Sequence, residues 1–331
     1  MMDKKLKYFG CVVACFLLFP PIYSRAGEIG YKHRPALVFA GASTTMILGA
    51  ALAGNRIVAV GNHGAVLLSD DQGKTFRQAK GVPTSVMVDA VSFADAKNGW
   101  AVGHLGVIIH STDGGETWTM QPEALSHDEP LFTVWFKNDS LGFAAGLWGM
   151  LIKTVDGGKT WQQVKLPPLP DGRKDDRNLF AIFPDRLGNI FIAAERGTLF
   201  KSEDGGLSWK LIDTGNKGSL WAGVALQDGS LVVAGLRGKI LRSRDDGEHW
   251  TVVHTGTKSS ITGLTELSDG RIVAVGLDGV TLESANEGGY FHVVSRRPDR
   301  MDLTAVVAGG PKNDAAVVFS ANGPVAAPQC H

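Results

Sequence analysis

Six acidic or amide side chains recur along this chain at nearly even spacing: Asp71, Asp113, Asp156, Asp204, Asp245 and Asn286. Carboxylates set out in this way could ligate calcium or serve as general acids. Their neighbours point to a different chemistry. Each stands two residues after a Ser or Thr (Ser69, Ser111, Thr154, Ser202, Ser243, Ser284) and two before a Gly, and an aromatic residue follows that Gly by three. Such a phrase holds the parts of a tight turn: the Asp oxygen accepts backbone N–H groups, and the Gly takes a positive φ that a Cβ resists. One turn motif accounts for all six at once, so they are read as structural.

Other reactive residue types are sparse. His63 and His104 occupy corresponding turns, but no carboxylate or cysteine stands at ligand spacing beside them, so neither a metal nor a cofactor is expected. No Gly-x-Ser-x-Gly elbow, phosphate loop or His-Glu-x-x-His is present. The residues that differ from one repeat to the next are more informative. Before the second glycine of successive Gly-x-x-Gly turns stand His63, Leu105, Trp148, Arg196, Arg237, Asp278 and Asn322, with Phe132, Phe180 and Trp221 in the strands nearby. Trp148, Arg196, Arg237, Phe132, Phe180 and Trp221 then share one sector, bordered by Arg173 and Arg177 in the long insertion 166–177. Arginine pairs bidentately with carboxylates and aromatics bury much area at low entropic cost, so the sector is read as a partner-binding groove, the plainer alternative being aromatics in the blade core and solvated arginines in the turns.

The elements that must position this sector follow from the period. The turn phrases step by 42, 43, 48, 41 and 41 residues, a spacing that signals a repeat architecture. Ahead of each lie two short β-branched runs, such as Arg56–Gly61 and Ala65–Leu68, and the aromatic opens another, so each repeat reads as four strands. Seven units result, with cores near 44–80, 86–121, 131–165, 179–212, 220–254, 261–294 and 303–327. The expected fold is all-β: a single seven-bladed β-propeller of four-stranded antiparallel blades, spanning 27–331. The last unit lacks a turn phrase and a fourth strand, so Pro35–Ala40 is expected to pair against Pro324–Ala327 and close the ring.

The turn phrase resembles the Asp-box of bacterial-neuraminidase repeats. Units carrying Asn98-Gly99-Trp100-Ala101-Val102-Gly103, followed by Ile-x-x-Ser-x-Asp-Gly-Gly-x-Thr-Trp, are similar to the photosystem II stability and assembly factor family. That resemblance implies a non-catalytic scaffold or chaperone, binding an envelope or thylakoid-type membrane protein from the exported side, with an arginine patch carried over only to Arg196 and Arg237. A glycoside hydrolase or carbohydrate-binding protein of the sialidase-like group is the alternative. Sialidases need a tyrosine nucleophile, and beyond the leader only Tyr31 and Tyr290 remain, one before the repeats and one inside the sixth turn phrase.

Residues 1–26 read as a secretory signal, with Lys4, Lys5 and Lys7 before an apolar run and Ser24-Arg25-Ala26 as a cleavage site. Val12-Val-Ala-Cys15 is a passable lipobox, so retention or lipidation at Cys15 is the competing reading. An exported, periplasmic or equivalent lumenal, monomeric protein is expected. Removing the leader leaves 29 cations against 32 anions and only Cys330, which argues against nucleic acid as a partner and leaves no intrachain disulfide.

Overall fold

A short apolar run leading into a tight turn recurs in each unit and folds in each case into the same meander. The computed structural model describes residues 33–122, 129–168, 176–309, 312 and 314–325. The first sheet holds β1 (Ile47–Ala53), β2 (Arg56–Gly61), β3 (Val66–Ser69) and β4 (Arg77–Gln78), in that order and antiparallel. The second holds β5 (Val88–Phe93), β6 (Gly99–Gly103), β7 (Ile108–Ser111) and β8 (Thr119–Met120). The third holds β9 (Leu131–Phe136), β10 (Gly142–Gly146), β11 (Leu151–Thr154) and β12 (Gln162–Gln163). The fourth holds β13 (Leu179–Pro184), β14 (Ile190–Ala194), β15 (Thr198–Ser202) and β16 (Lys210–Asp213). The fifth holds β17 (Leu220–Ala225), β18 (Leu231–Gly235), β19 (Ile240–Ser243) and β20 (Thr251–Val253). The sixth holds β21 (Ile261–Glu266), β22 (Ile272–Gly276), β23 (Val280–Ser284) and β24 (His292–Arg296). The seventh has three strands among the described residues: β25 (Leu303–Gly309), β26 (Ala315–Ser320) and β27 (Gly323–Val325).

First strands of successive sheets lie side by side and β25 returns to β1, so the sheets are the blades of a seven-bladed propeller. Second strands are buried on both faces, which is why they read as unbroken apolar runs rather than alternating ones. Among the described residues no helix is long and apolar enough to cross a membrane.

The turn phrases join each blade's third strand to its fourth and hold themselves together. In the first, Ser69 Oγ donates to Asp71 Oδ1 at 2.8 Å and accepts from Gly73 N at 2.8 Å. Thr75 donates its N–H to Asp71 Oδ1 at 2.9 Å and its hydroxyl to Oδ2 at 2.6 Å. The same net surrounds Asp113, Asp156 and Asp204, while His249 and Tyr290 supply the N–H to Asp245 and Asn286. These bonds favour the ionised carboxyl: Thr75 and Thr160 hydroxyls lead in holding Asp71 and Asp156 down to about 2, and the His249 N–H leads for Asp245, also about 2. A glycine is required for a second reason. A Cβ at Gly206 would stand 2.3 Å from the Phe143 ring of β10, and one at Gly73 would stand 2.6 Å from Val317 of β26, so each hairpin seats on the preceding blade.

The ring does not close as expected. Pro35–Ala40 forms no strand and lies along the first blade: Ala36 N donates to Val82 O at 3.0 Å, and the Gln78 side chain takes Phe39 N at 3.1 Å and gives to Leu37 O at 2.8 Å. The Gln78 amide offers this backbone a donor and an acceptor together, which holds it on the first blade rather than at β27; Ala326 and Ala327 lie outside the described residues. Closure is by packing instead. Ile47, Ile57 and Leu67 share one core with Ala305, Val307 and Phe319, Phe76 meets Phe319 edge-on at 5.7 Å, and Thr304 Oγ1 donates to Ile47 O at 2.5 Å.

If packing closes the ring, Phe319→Ala should cost about 3 to 5 kcal/mol in denaturant unfolding. Deleting 33–40, whose bonds to Gln78 are exposed, should cost only about 1 to 3 kcal/mol; the reverse order would restore the N-terminal segment as the clasp. The hairpin carboxyls sit below their unfolded value, so their stabilisation is complete above about pH 4 and is lost as pH falls through about 2. Asp156→Asn keeps the acceptor, as Asn286 does, without the titration. The fall in Tm from about pH 5 to about pH 2 should be smaller in that variant than in the parent.

Candidate functional site

Every first strand carries one extra residue near its start. Pairing slips between Ile47 and Gly49, Val88 and Ala90, Leu179 and Ala181, Leu220 and Ala222, Ile261 and Gly263, and Leu303 and Ala305, and the third blade slips opposite Ala145 and Gly146. The residues left out of register are Leu48, Asp89, Phe132, Phe180, Trp221, Thr262 and Thr304, a ring at one end of the sheets. A bulge frees its residue from the ladder and re-aims the side chain. Here the side chains link blade to blade: Phe132 stacks on Phe180 at 6.0 Å and 17°, and Thr262 Oγ1 donates to Leu303 O at 2.7 Å. Phe132, Phe180 and Trp221 are half-buried in this belt.

Beside the belt stand the turns between second and third strands. His63, Leu105, Trp148, Arg196, Arg237 and Asp278 all take left-handed backbone with φ of 54 to 59°. The conformation recurs in six blades, so it belongs to the turn and marks no single blade as functional. It does throw each side chain outward: Trp148 is 60% exposed and the Arg196 side chain 59%. The backbone beneath is clamped, since Trp148 N donates to Asn178 Oδ1 at 2.9 Å while Asn178 Nδ2 donates to Glu195 Oε1 at 2.9 Å. Arg237 N likewise donates to Ser260 Oγ at 3.1 Å.

The structure thus brings Trp148, Phe132, Phe180, Arg196 and Asn178 together across the third and fourth blades. Arg196 and Arg237 occupy equivalent turns of neighbouring blades but share no partner. Arg196 faces Asp176 at 3.8 Å, whereas the Arg237 side chain makes no ion pair among the described residues. Arg177 is half-buried and Arg173 lies outside the described residues, as do the leader, Tyr31 and Cys330. Tyr290 stacks on His254 at 5.7 Å and on His292 at 6.4 Å. Among the described residues no three His, Cys, Asp or Glu side chains converge as metal ligands.

Two features escaped the sequence reading. Asp89, the bulge residue of the second blade, is only 14% exposed, and its Oδ2 lies 3.8 Å from His104 Nε2 with no hydrogen-bond partner among the described residues. Burial pushes its carboxyl up to about 7. A second is a pair of open cavities of about 970 and 680 Å3 that meet at Arg237, Lys239 and Val252 on the fifth blade. The signal for the first was a lone acid amid the apolar starts of the first strands.

Fold and rim together define a bulged-rim β-propeller whose side chains vary from blade to blade at one mouth. The profile of the photosynthesis system II assembly factor YCF48 family matches residues 78–220 and 131–298, and the chain belongs to that family. Among solved structures it is similar to YCF48 bound to D1 peptide, with 19% identity, 88% of this chain and 97% of that one covered, and a TM-score of 0.69. YCF48 from Cyanidioschyzon merolae follows at 16% identity, covering 85% and 95%, with a TM-score of 0.66. A streptogramin B lyase is 13% identical over 85% and 93% of the two chains, with a TM-score of 0.71, a likeness of fold alone. No curated protein matches the chain.

Because the folded Asp89 holds its proton to about pH 7 and the unfolded one only to about 4, its contribution to stability falls as pH rises between those values. Asp89→Asn should therefore narrow the Tm difference between about pH 5 and about pH 8. An unchanged difference would mean that the carboxyl is solvated at the rim.

Proposed function

We propose that this chain is an exported, non-catalytic assembly scaffold, monomeric, that holds an extended and partly acidic segment of an envelope or thylakoid-type membrane protein at the propeller mouth. The observation that carries this reading is Trp148, 60% exposed on a backbone clamped through Asn178, beside the stacked Phe132 and Phe180. A large aromatic held rigid in water gains much area on binding and loses little entropy. Arg196 and Arg237 stand on the next two turns, where guanidiniums take carboxylates in charge-assisted pairs. Family membership supports the class of function, and the peptide in the solved YCF48 relative supports an extended ligand. Export rests on the basic and apolar leader at 1–26.

A non-catalytic role fits the fate of the acids. Each hairpin carboxyl is consumed by its own turn, and a group held near 2 is a poor proton donor at neutral pH. The test is capture of envelope membrane proteins by the full chain and by Trp148→Ala/Arg196→Glu, with melting curves for both. The double variant should lose capture by about 10-fold or more, since one hot-spot aromatic and one charge-assisted contact are removed. Capture unaffected in a folded variant would sink the mouth as the site, and glycan turnover by the parent chain would sink the non-catalytic reading.

A further inference from the structure

Five of the six left-handed turns are sealed at one place. The residue after their second glycine, Ala65, Val107, Met150, Thr198 or Val280, is buried, between 0% and 8% exposed. In the fifth blade that place holds Lys239, which is exposed. A lysine ammonium keeps a tight hydration shell that burial would strip, so its surroundings stay open. Both fifth-blade cavities border it, one of about 970 Å3 with Arg237, Lys258 and His254 in its wall, the other of about 680 Å3 with Arg237 and Lys217.

The two outer walls are copies of each other. Thr214-Gly215-Asn216-Lys217-Gly218-Ser219 enters the fifth blade and Thr255-Gly256-Thr257-Lys258-Ser259-Ser260 leaves it, 41 residues on. Thr214 Oγ1 donates to Gly197 O at 2.6 Å and Thr255 Oγ1 to Gly238 O at 3.0 Å, which pins each connection onto the turn beneath it. Lys217 and Lys258 are thereby carried, both exposed, on either side of a ridge formed by Arg237 and Lys239.

The charge here is one-sided. Apart from His254, every ionisable residue lining the two cavities is a lysine or arginine, and among the described residues none of Lys217, Arg237, Lys239 and Lys258 makes an ion pair. Two exposed arginines elsewhere show the contrast, Arg77 paired with Glu116 at 2.7 Å and Arg297 with Asp299 at 2.7 Å. The acid nearest in sequence, Asp213, accepts the Gly215 N–H at its Oδ1 at 2.9 Å. In a chain with 33 cations and 33 anions, four unmatched cations around one ridge are a local asymmetry that a partner of opposite charge would complete.

We propose that this groove is a second, cationic subsite, resting on the reading of the mouth as a peptide-binding rim: it takes the acidic part of the partner segment as that segment leaves the mouth and crosses the fifth blade. Val252, 64% exposed and shared by both cavities, meets an apolar side chain between the carboxylates. An extended peptide is the occupant because the cations line the walls of a ridge-and-trough surface, whereas a lipid headgroup layer needs them on one plane. Lysines at three of the four positions make the contact tolerant of carboxylate spacing, unlike a bidentate arginine fork.

The test uses the full chain and a labelled peptide of about 12 residues, long enough at roughly 3.3 Å per residue to pass from mouth to groove. It alternates Asp or Glu with Leu or Phe; an Asn/Gln counterpart and phosphatidylserine vesicles are the other probes. Lys217→Glu/Lys239→Glu/Lys258→Glu should weaken the acidic peptide by about 10-fold or more and flatten its salt dependence, with little effect on the Asn/Gln peptide. Lys74→Glu/Lys97→Glu/Lys159→Glu makes the same change of net charge on the hairpins and first turns and should have little effect. Equal loss in both triple variants, or a loss seen only with vesicles, overturns the groove. If Trp148→Ala/Arg196→Glu abolishes peptide binding and the folded groove variant does not, the mouth stands and the groove falls. The converse result retains the groove and removes the mouth.

Discussion

The packing of each hairpin against the blade before it is the constraint on which the ring depends. A second strand sandwiched between two blades has no solvent face, so its apolar run is stable only if both neighbours stay seated. The hairpin seats one of them, because its glycine lets the turn come within van der Waals contact of side chains such as Phe143 and Val317. The hydrogen-bond net around Asp71 and its counterparts holds that turn in shape without help from the rest of the blade. A local motif therefore sets a long-range contact, and repetition propagates it around the ring.

This arrangement makes the two ends of each sheet physically different. The end that carries the hairpins ties each Asp or Asn side chain into its own turn. The end that carries the bulges and left-handed turns leaves Trp148, Arg196 and Arg237 projecting from clamped backbone. Family membership and the likeness to YCF48 structures belong to the whole scaffold.

Blade number, strand order and the hairpins were legible in the sequence because they rest on contacts within a few residues of each other. The rim aromatics Phe132, Phe180 and Trp221 were legible as neighbours, although the bulge that groups them was not, since a one-residue slip leaves no mark on an apolar run. Ring closure was misread: Pro35–Ala40 has the composition of a strand, but its fate is set by the distant amide of Gln78. Lys239 passed unnoticed because its oddity appears only when its burial is set beside that of Ala65, Val107, Met150, Thr198 and Val280.

The seven bulges leave seven side chains that take no part in strand pairing and only a modest part in the core. Leu, Asp, Phe, Trp and Thr all occupy the position in this one molecule, so the sheet is indifferent to what stands there. The rim then behaves as a seven-place register written on a fixed wheel. Substitutions at its places can be made one at a time while the wheel beneath them continues to fold.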